Sequence, residues 1–221
     1  MQGFSLSVDQ TSTSTRERLL EAAGEVFAES GFRNATVRDI CARAGANIAA
    51  VNYHFRDKDG LYAAVLTCAH DTSAHQHPYD TGQAEANTAE QRLRAFVTTF
   101  MNRLFDEGRP AWQPKLMARE MIEPTGALDQ VVARSIRPHF ELLSAIVREL
   151  LGPGATDDEV SMCGASVIGQ CLLYHHCRPV VHRLFPDDRY SAERTRQRAA
   201  HIVEFSLAGI AGLRALREGG R

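Results

Sequence analysis

From Ser14 onward, apolar residues recur every three or four positions, and that rhythm commits the chain to packed helices. Ser14-Thr15-Arg16-Glu17 has the capping-box pattern, after which Leu19, Leu20, Ala23, Val26 and Phe27 share one face until Gly31 closes the helix. Thr36 opens a second helix, with Asp39 at N3. Its residues Val37, Ile40, Cys41 and Ala44 follow the spacing i, i+3, i+4, i+7, and Gly45 ends it. A third, short helix at about 47–55 is expected to turn Ile48, Val51 and Phe55 inward. Asp57 caps a fourth, which carries Leu61, Tyr62, Val65 and Leu66 and fades near His75. The polar stretch 76–88, with Pro78 and Gly82, reads as a loop and a domain boundary. Further helices are expected near 88–107, 110–123, 126–151, 156–177 and 190–217, with a bend at Pro138 and a capping box at Thr156.

No segment alternates as a strand does, so the fold class is all-α. Residues 1–13 are expected to form a flexible N-terminal arm, and 14–75 a three-helix helix-turn-helix domain whose motif spans about 36–55. Residues 88–217 form a C-terminal helical-bundle domain. A hydrophobic fraction of 44% suits a packed soluble core. Met1 to Thr15 has no basic residue and no apolar run, unlike a signal or transit peptide. No later stretch approaches the roughly 20 uninterrupted apolar residues of a membrane helix. A cytoplasmic protein without a membrane partner is the expectation. Five cysteines, Cys41, Cys68, Cys163, Cys171 and Cys177, are scattered through helical segments as reduced thiols would be.

The formal net charge is −2, so any affinity for nucleic acid has to be local. Between residues 33 and 58, Arg33, Arg38, Arg43, Arg56 and Lys58 outweigh Asp39 and Asp57, leaving +3. The second and third helices with the turn Gly45-Ala46 have the form of a helix-turn-helix, whose second helix enters the major groove. Its outward face presents Asn47, Ala49, Ala50, Tyr53 and His54, with Asn52 on the flank. Asn pairs bidentately with adenine, an Ala methyl meets the thymine methyl, and small side chains let the helix approach base edges. On spacing alone, a short basic helical hairpin can also be read as an ordinary solvated surface.

Residues 19–32 (LLEAAGEVFAESGF), Ala35-Thr36-Val37-Arg38-Asp39-Ile40, Asn52-Tyr53-His54-Phe55, Lys58 and Gly60-Leu61-Tyr62 closely resemble the TetR family of DNA-binding regulators, in register over about 14–66. Asn47 to Phe55 is similar to the CecR (YbiH-like) branch. So, less specifically, are Arg137-Pro138, Gly169-Gln170-Cys171-Leu172 and Phe205 to Ile210. The resemblance implies phosphate contacts from Thr36, Tyr53, His54 and Lys58, and base contacts from Asn47, Ala49 and Asn52, with Arg43 among the surrounding cations. It also implies a ligand-responsive repressor, acting as a homodimer on a palindromic operator in double-stranded DNA. In such a dimer the last two long helices pair with their symmetry mates, and Gly164, Gly169, Leu172, Phe205, Ala208, Gly209 and Leu213 are the candidate interface.

An effector site for a small molecule of unknown identity is expected among the helices from 88 to 177. Phe100, Trp112, Met117, Glu120, Arg137, Phe140, Gln170 and Tyr174 are its candidate lining. Glu120 and Arg137 could instead pair with each other. Two His-containing clusters, Cys171, His175, His176, Cys177 and His182, and His70, Asp71, His75 and His77, lack a standard zinc signature. The expectation is therefore no metal and no cofactor. No nucleophile–base pairing, phosphate-binding glycine loop or catalytic carboxylate pair stands out, so an enzyme is not expected. A regulator that senses a metal or a thiol oxidant is the rival reading of the C-terminal half.

Overall fold

A computed structural model describes residues 14–76, 88–106, 108–187 and 190–219, the side chains of 70–76 excepted. The arm at 1–13 and the cluster His70, Asp71, His75 and His77 lie outside that description. Among the described residues all regular structure is helical. The order is α1 (Thr15–Asn34), α2 (Val37–Ala44), α3 (Ile48–Phe55), α4 (Lys58–Gln76), α5 (Ala89–Leu104) and α6 (Trp112–Ile122). Then come α7 (Ala127–Val131), a π-helical turn (Val132–Ile136), α8 (Arg137–Leu151), α9 (Asp157–His176), α10 (Arg178–Leu184) and α11 (Ala192–Gly219). Ser14, Thr88 and Thr156 each close a reciprocal capping box, which satisfies orphan N–H groups where the periodicity starts. Gly31, at φ 77°, takes the backbone out of the helix near the end of α1, and Gly45, at φ 59°, ends α2 in the left-handed region.

The chain divides into two compact units, and the first contains the described residues up to 69 together with 110–128. Leu19, Phe27, Ile40, Val51, Leu61, Val65 and Leu66 form its apolar interior. Contrary to the sequence expectation, α6 belongs to this unit. Trp112 lies on Gly24 of α1, where a Cβ would come within 2.5 Å of the indole ring. The indole N–H donates to Glu21 at 2.8 Å. Arg119 donates to the Ala28 and Glu29 carbonyls at 3.4 and 3.3 Å, placing a cation at the negative end of α1. Glu120 is fully buried and accepts from the Tyr62 hydroxyl at 2.6 Å, the Thr125 N–H at 2.8 Å and the Thr125 hydroxyl at 2.9 Å. Burial, then the hydrogen bond to Glu120, pushes the Tyr62 phenol well above its usual range.

The second unit contains residues 70–109 and 129–221. α5, α8, α9 and α11 supply Leu93, Phe96, Val97, Met101, Leu143, Ile146, Val147, Val160, Val167, Ile202 and Val203 to its core. The segment expected as one bent helix at 126–151 is two helices joined by the π-helical turn. There the Arg137 N–H donates five residues back to Val132. Pro138 lacks an N–H, and the wider register just before it admits its ring without breaking the run. The short α10 was not expected from the sequence, although Pro179 in its first turn is a start signal. By length and composition α11 could cross a membrane, but Glu204 and Arg214 interrupt its apolar run, as the sequence expectation holds. Its Ile202, Val203 and Ile210 are buried in the core.

Candidate nucleic-acid interface

At α2 the Thr36 hydroxyl accepts from the Asp39 N–H at 3.1 Å and donates to the Asp39 carboxylate at 2.6 Å. After the Gly45-Ala46 turn, the side-chain oxygen of Asn47 accepts from the Ala50 N–H at 2.9 Å and so caps α3. That bond occupies one lone pair of the amide oxygen and fixes the side chain, leaving its NH₂ free to donate to a base edge. Asn52 is exposed.

Val51 and Phe55 are buried beneath α3, but Ile48, expected to face inward, is 49% exposed. The first residue of so short a helix overhangs the core, and Ile48 joins Ala49 as an apolar group on the outward face. Tyr53 is 85% exposed and meets the His54 ring edge-on at 4.9 Å. The Lys58 ammonium stands 4.6 Å over the Phe32 ring and donates to the Arg33 carbonyl at 3.4 Å, so a flexible cation is held in place beside α3. Arg16, which no sequence signal marked, lies 5.5 Å over Phe55. Arg43 differs from these cations. It pairs with Glu25 at 3.4 Å and Glu29 at 3.1 Å on α1, and the hydrogen bond to Glu29 leads in raising its pKa. Its charge is matched inside the unit.

The turn from α3 to α4 is the tightest in this region. Arg56 has φ 76° and ψ −52°, close to the rare and strained γ-turn geometry. Such a backbone costs a non-glycine residue about 1–3 kcal/mol. Asp57 accepts from the Gly60 N–H at 2.7 Å. A Cβ on Gly60 would lie 2.1 Å from the Phe55 carbonyl, so only glycine lets α4 start this close to α3.

In the second unit, α9 and α11 carry an exposed face of small and apolar residues. Met162, Ala165, Gly169 and Leu173 follow one line on α9, and Phe205, Ala208, Gly209, Gly212, Leu213 and Leu216 follow another on α11. A Cβ on Gly169, Gly209 or Gly212 would meet nothing within 4 Å. Two expected residues are placed differently, and a neighbouring apolar residue of α11 turns inward. Gly164 is buried, and a Cβ there would come 3.3 Å from the Phe140 ring of α8, so its missing side chain makes room for the ring. Ile210 lies in the core, and Leu172 is half-buried.

The expected effector residues are divided between the two units. Trp112 and Glu120 are structural parts of the first unit, where Met117 also lies, and Glu120 is held by Tyr62 and Thr125. The second unit contains the other five. Phe100 stacks on Phe96 at 6.2 Å, and Gln170 donates to the Ser206 hydroxyl at 3.2 Å. The Arg198 guanidinium lies 4.6 Å over the Tyr174 ring, Phe140 covers Gly164, and Arg137 is exposed. Among the described residues, no three His, Cys, Asp or Glu side chains are placed to hold a metal ion. Burial pushes the Cys171 thiol up to about 12. Burial, then the charges of His176, Arg109 and Arg178, lowers His175 to about 4.

The capped α2, the glycine turn and the exposed face of α3 define a helix-turn-helix protein. The model for the tetR family of bacterial regulatory proteins matches residues 19–65, and the model for the C-terminal domain of the HTH-type transcriptional dual regulator CecR matches residues 89–210. The chain is 30% identical over 167 residues to CecR of Shigella flexneri, covering 72% of this chain and 74% of that protein. It therefore belongs to the TetR family of DNA-binding transcriptional regulators, in the CecR branch. The regulator BetI of Escherichia coli K12 is 33% identical over 85 residues, 37% of this chain and 42% of that one. In fold, the chain is similar to FadR of Bacillus subtilis solved with stearoyl-CoA (TM-score 0.61, 17% identity, 87% of this chain and 97% of that one). It is also similar to a HlyIIR mutant (TM-score 0.62, 20% identity, 86% and 94%).

Proposed function

We propose that this chain is a cytoplasmic repressor that binds a palindromic operator as a homodimer and is released by a small molecule. The observation that carries the DNA half is the outward face of α3. It combines the free Asn47 donor, the exposed Asn52, the apolar contacts of Ile48 and Ala49, and an exposed Tyr53. Bases are read by Asn47, Ala49 and Asn52, while Tyr53, His54, Lys58 and the α2 start at Thr36 meet phosphates. Arg43, matched by Glu25 and Glu29, has the weakest claim among the contacts expected from the sequence.

The exposed face of α9 and α11 supports the dimer, because open glycines let a second pair of helices approach closely while Phe205, Leu173 and Leu213 lose their water. Two recognition helices held about 34–36 Å apart then meet successive major grooves. For the effector, the second unit offers Phe100, Phe140, Gln170, Tyr174 and Arg137. The structural neighbour solved with stearoyl-CoA supports a ligand-binding role for this kind of domain. The matched relatives are regulators and not enzymes.

Selection of bound fragments from a random duplex pool tests the whole reading. An inverted repeat with half-sites one helical turn apart is expected. Recovery of a single unrepeated site would remove the dimer, and recovery of no preferred sequence would remove the operator. With the operator known, an inducer has to lose affinity in its presence by the factor it imposes on DNA binding, typically 5–150-fold.

A further inference from the structure

We infer that Arg56, which follows the recognition helix, is a DNA-backbone contact whose guanidinium grips a phosphate beside the one met by Lys58; this rests on the DNA-facing assignment of α3. The starting observation is a residue type in the wrong place. At φ 76° and ψ −52° the backbone favours glycine, and a side chain there is strained whichever residue carries it. The folded unit makes almost no use of that side chain. Arg56 is 92% exposed and, among the described residues, pairs with the Asp57 carboxylate alone, at 3.8 Å. By contrast, Arg43 is held by Glu25 and Glu29, and Lys58 by Phe32 and the Arg33 carbonyl. Strain of this kind concentrates where a group has to be aimed at a partner outside the chain.

The surroundings say which partner. Arg56 is the residue at which α3 ends and the chain turns to α4, two positions before Lys58 and three after the exposed Tyr53. Gly60 and the Asp57 cap keep this turn tight, so the guanidinium is presented from a fixed backbone. A planar, always-charged fork on a rigid turn suits a phosphate oxygen pair, and such a contact positions the protein without reading sequence.

The test uses the full-length protein and a mixed-sequence duplex long enough for two half-sites, with affinity followed against salt concentration. Every phosphate that the protein ceases to neutralise lowers the slope of log affinity against log salt by about 0.9. Arg56→Gln keeps the backbone strain and removes the charge, so its slope should fall by about one unit per subunit while the unfolding midpoint stays put. Arg56→Lys should retain most of the slope. Arg56→Gly should raise the unfolding midpoint and still weaken DNA binding, a pairing that a merely structural residue would not give. If Arg56→Gln and Arg56→Gly bind as the native chain does while Lys58→Ala lowers the slope, Arg56 does not touch DNA and the rest of the surface stands. If Lys58→Ala and Tyr53→Ala are silent too, the DNA-facing assignment itself fails.

Discussion

Around α3 several outward-facing polar groups are anchored one by one, whereas the bare face along α9 and α11 is lined by apolar side chains and glycines. Asn47 is fixed by its own cap, Lys58 by a ring and a carbonyl, and Tyr53 by its edge contact with His54. Gly169, Ala208, Gly209 and Gly212 instead leave bare backbone between Met162, Leu173, Phe205 and Leu213. A polymer with a fixed pattern of charges and base edges needs donors held at set positions. A second helix pair needs room and apolar surface, and any strong donor left there would be buried without a partner.

The sharpest way to break this contrast is to put a charge on the bare face. Ala208→Glu or Gly209→Asp should give monomers with unchanged helicity and no measurable operator binding, as read by sedimentation and binding titration. A charged variant that stays a full-strength dimer would move the interface off this face. The anchoring in the first unit also extends inside it. Glu120→Ala leaves the Tyr62 hydroxyl and Thr125 N–H without their acceptor, at a cost of about 3 kcal/mol in urea unfolding. A destabilisation below a few tenths would mean that the network adds nothing to stability.

A smaller effect separates anchoring from reading at Asn47. Asn47→Ser keeps a capping oxygen and removes the outward donor. Stability should hold, while discrimination at one base pair falls by about 1–3 kcal/mol. If the cap is all that matters, operator preference will match that of the native chain. Smallest is the pH response of His175, which is held neutral in the second unit. Its folded pKa of about 4 lies below the ordinary value of 6.5. Its stabilisation is therefore complete above pH 6.5 and lost as pH falls towards 4, because the unfolded chain takes up the proton first. His175→Gln should flatten the unfolding free energy in that window by about 1 kcal/mol per pH unit or less, given partial exposure. An unaltered pH profile would show that His175 is already solvated.

Most helix boundaries were legible because caps announce themselves. Ser14 and Thr156 are followed three residues later by the acid that completes the capping box, and Thr36 by the acid whose N–H its hydroxyl caps. The outward face of α3 was legible from its period, apart from Ile48, because eight residues give too few turns to define an edge. The placement of α6 was not legible. A local pattern shows that Trp112 and Glu120 face something apolar, but not that the partners are Gly24 and Tyr62, some ninety and sixty positions earlier. Gly164 misled for a related reason. A glycine that admits a ring from its own chain reads like one that admits a neighbouring backbone.

The return of residues 110–128 to the first unit bears on how this regulator can be recombined with others. A chimera cut in the polar stretch after α4 would carry α1–α4 away from their own α6. Gly24 would then lack the indole that fills its notch, and Tyr62 would lie beside whatever the new host supplied. The transplantable module is discontinuous in the sequence, and a graft that keeps the first unit intact has to bring both stretches from the same parent.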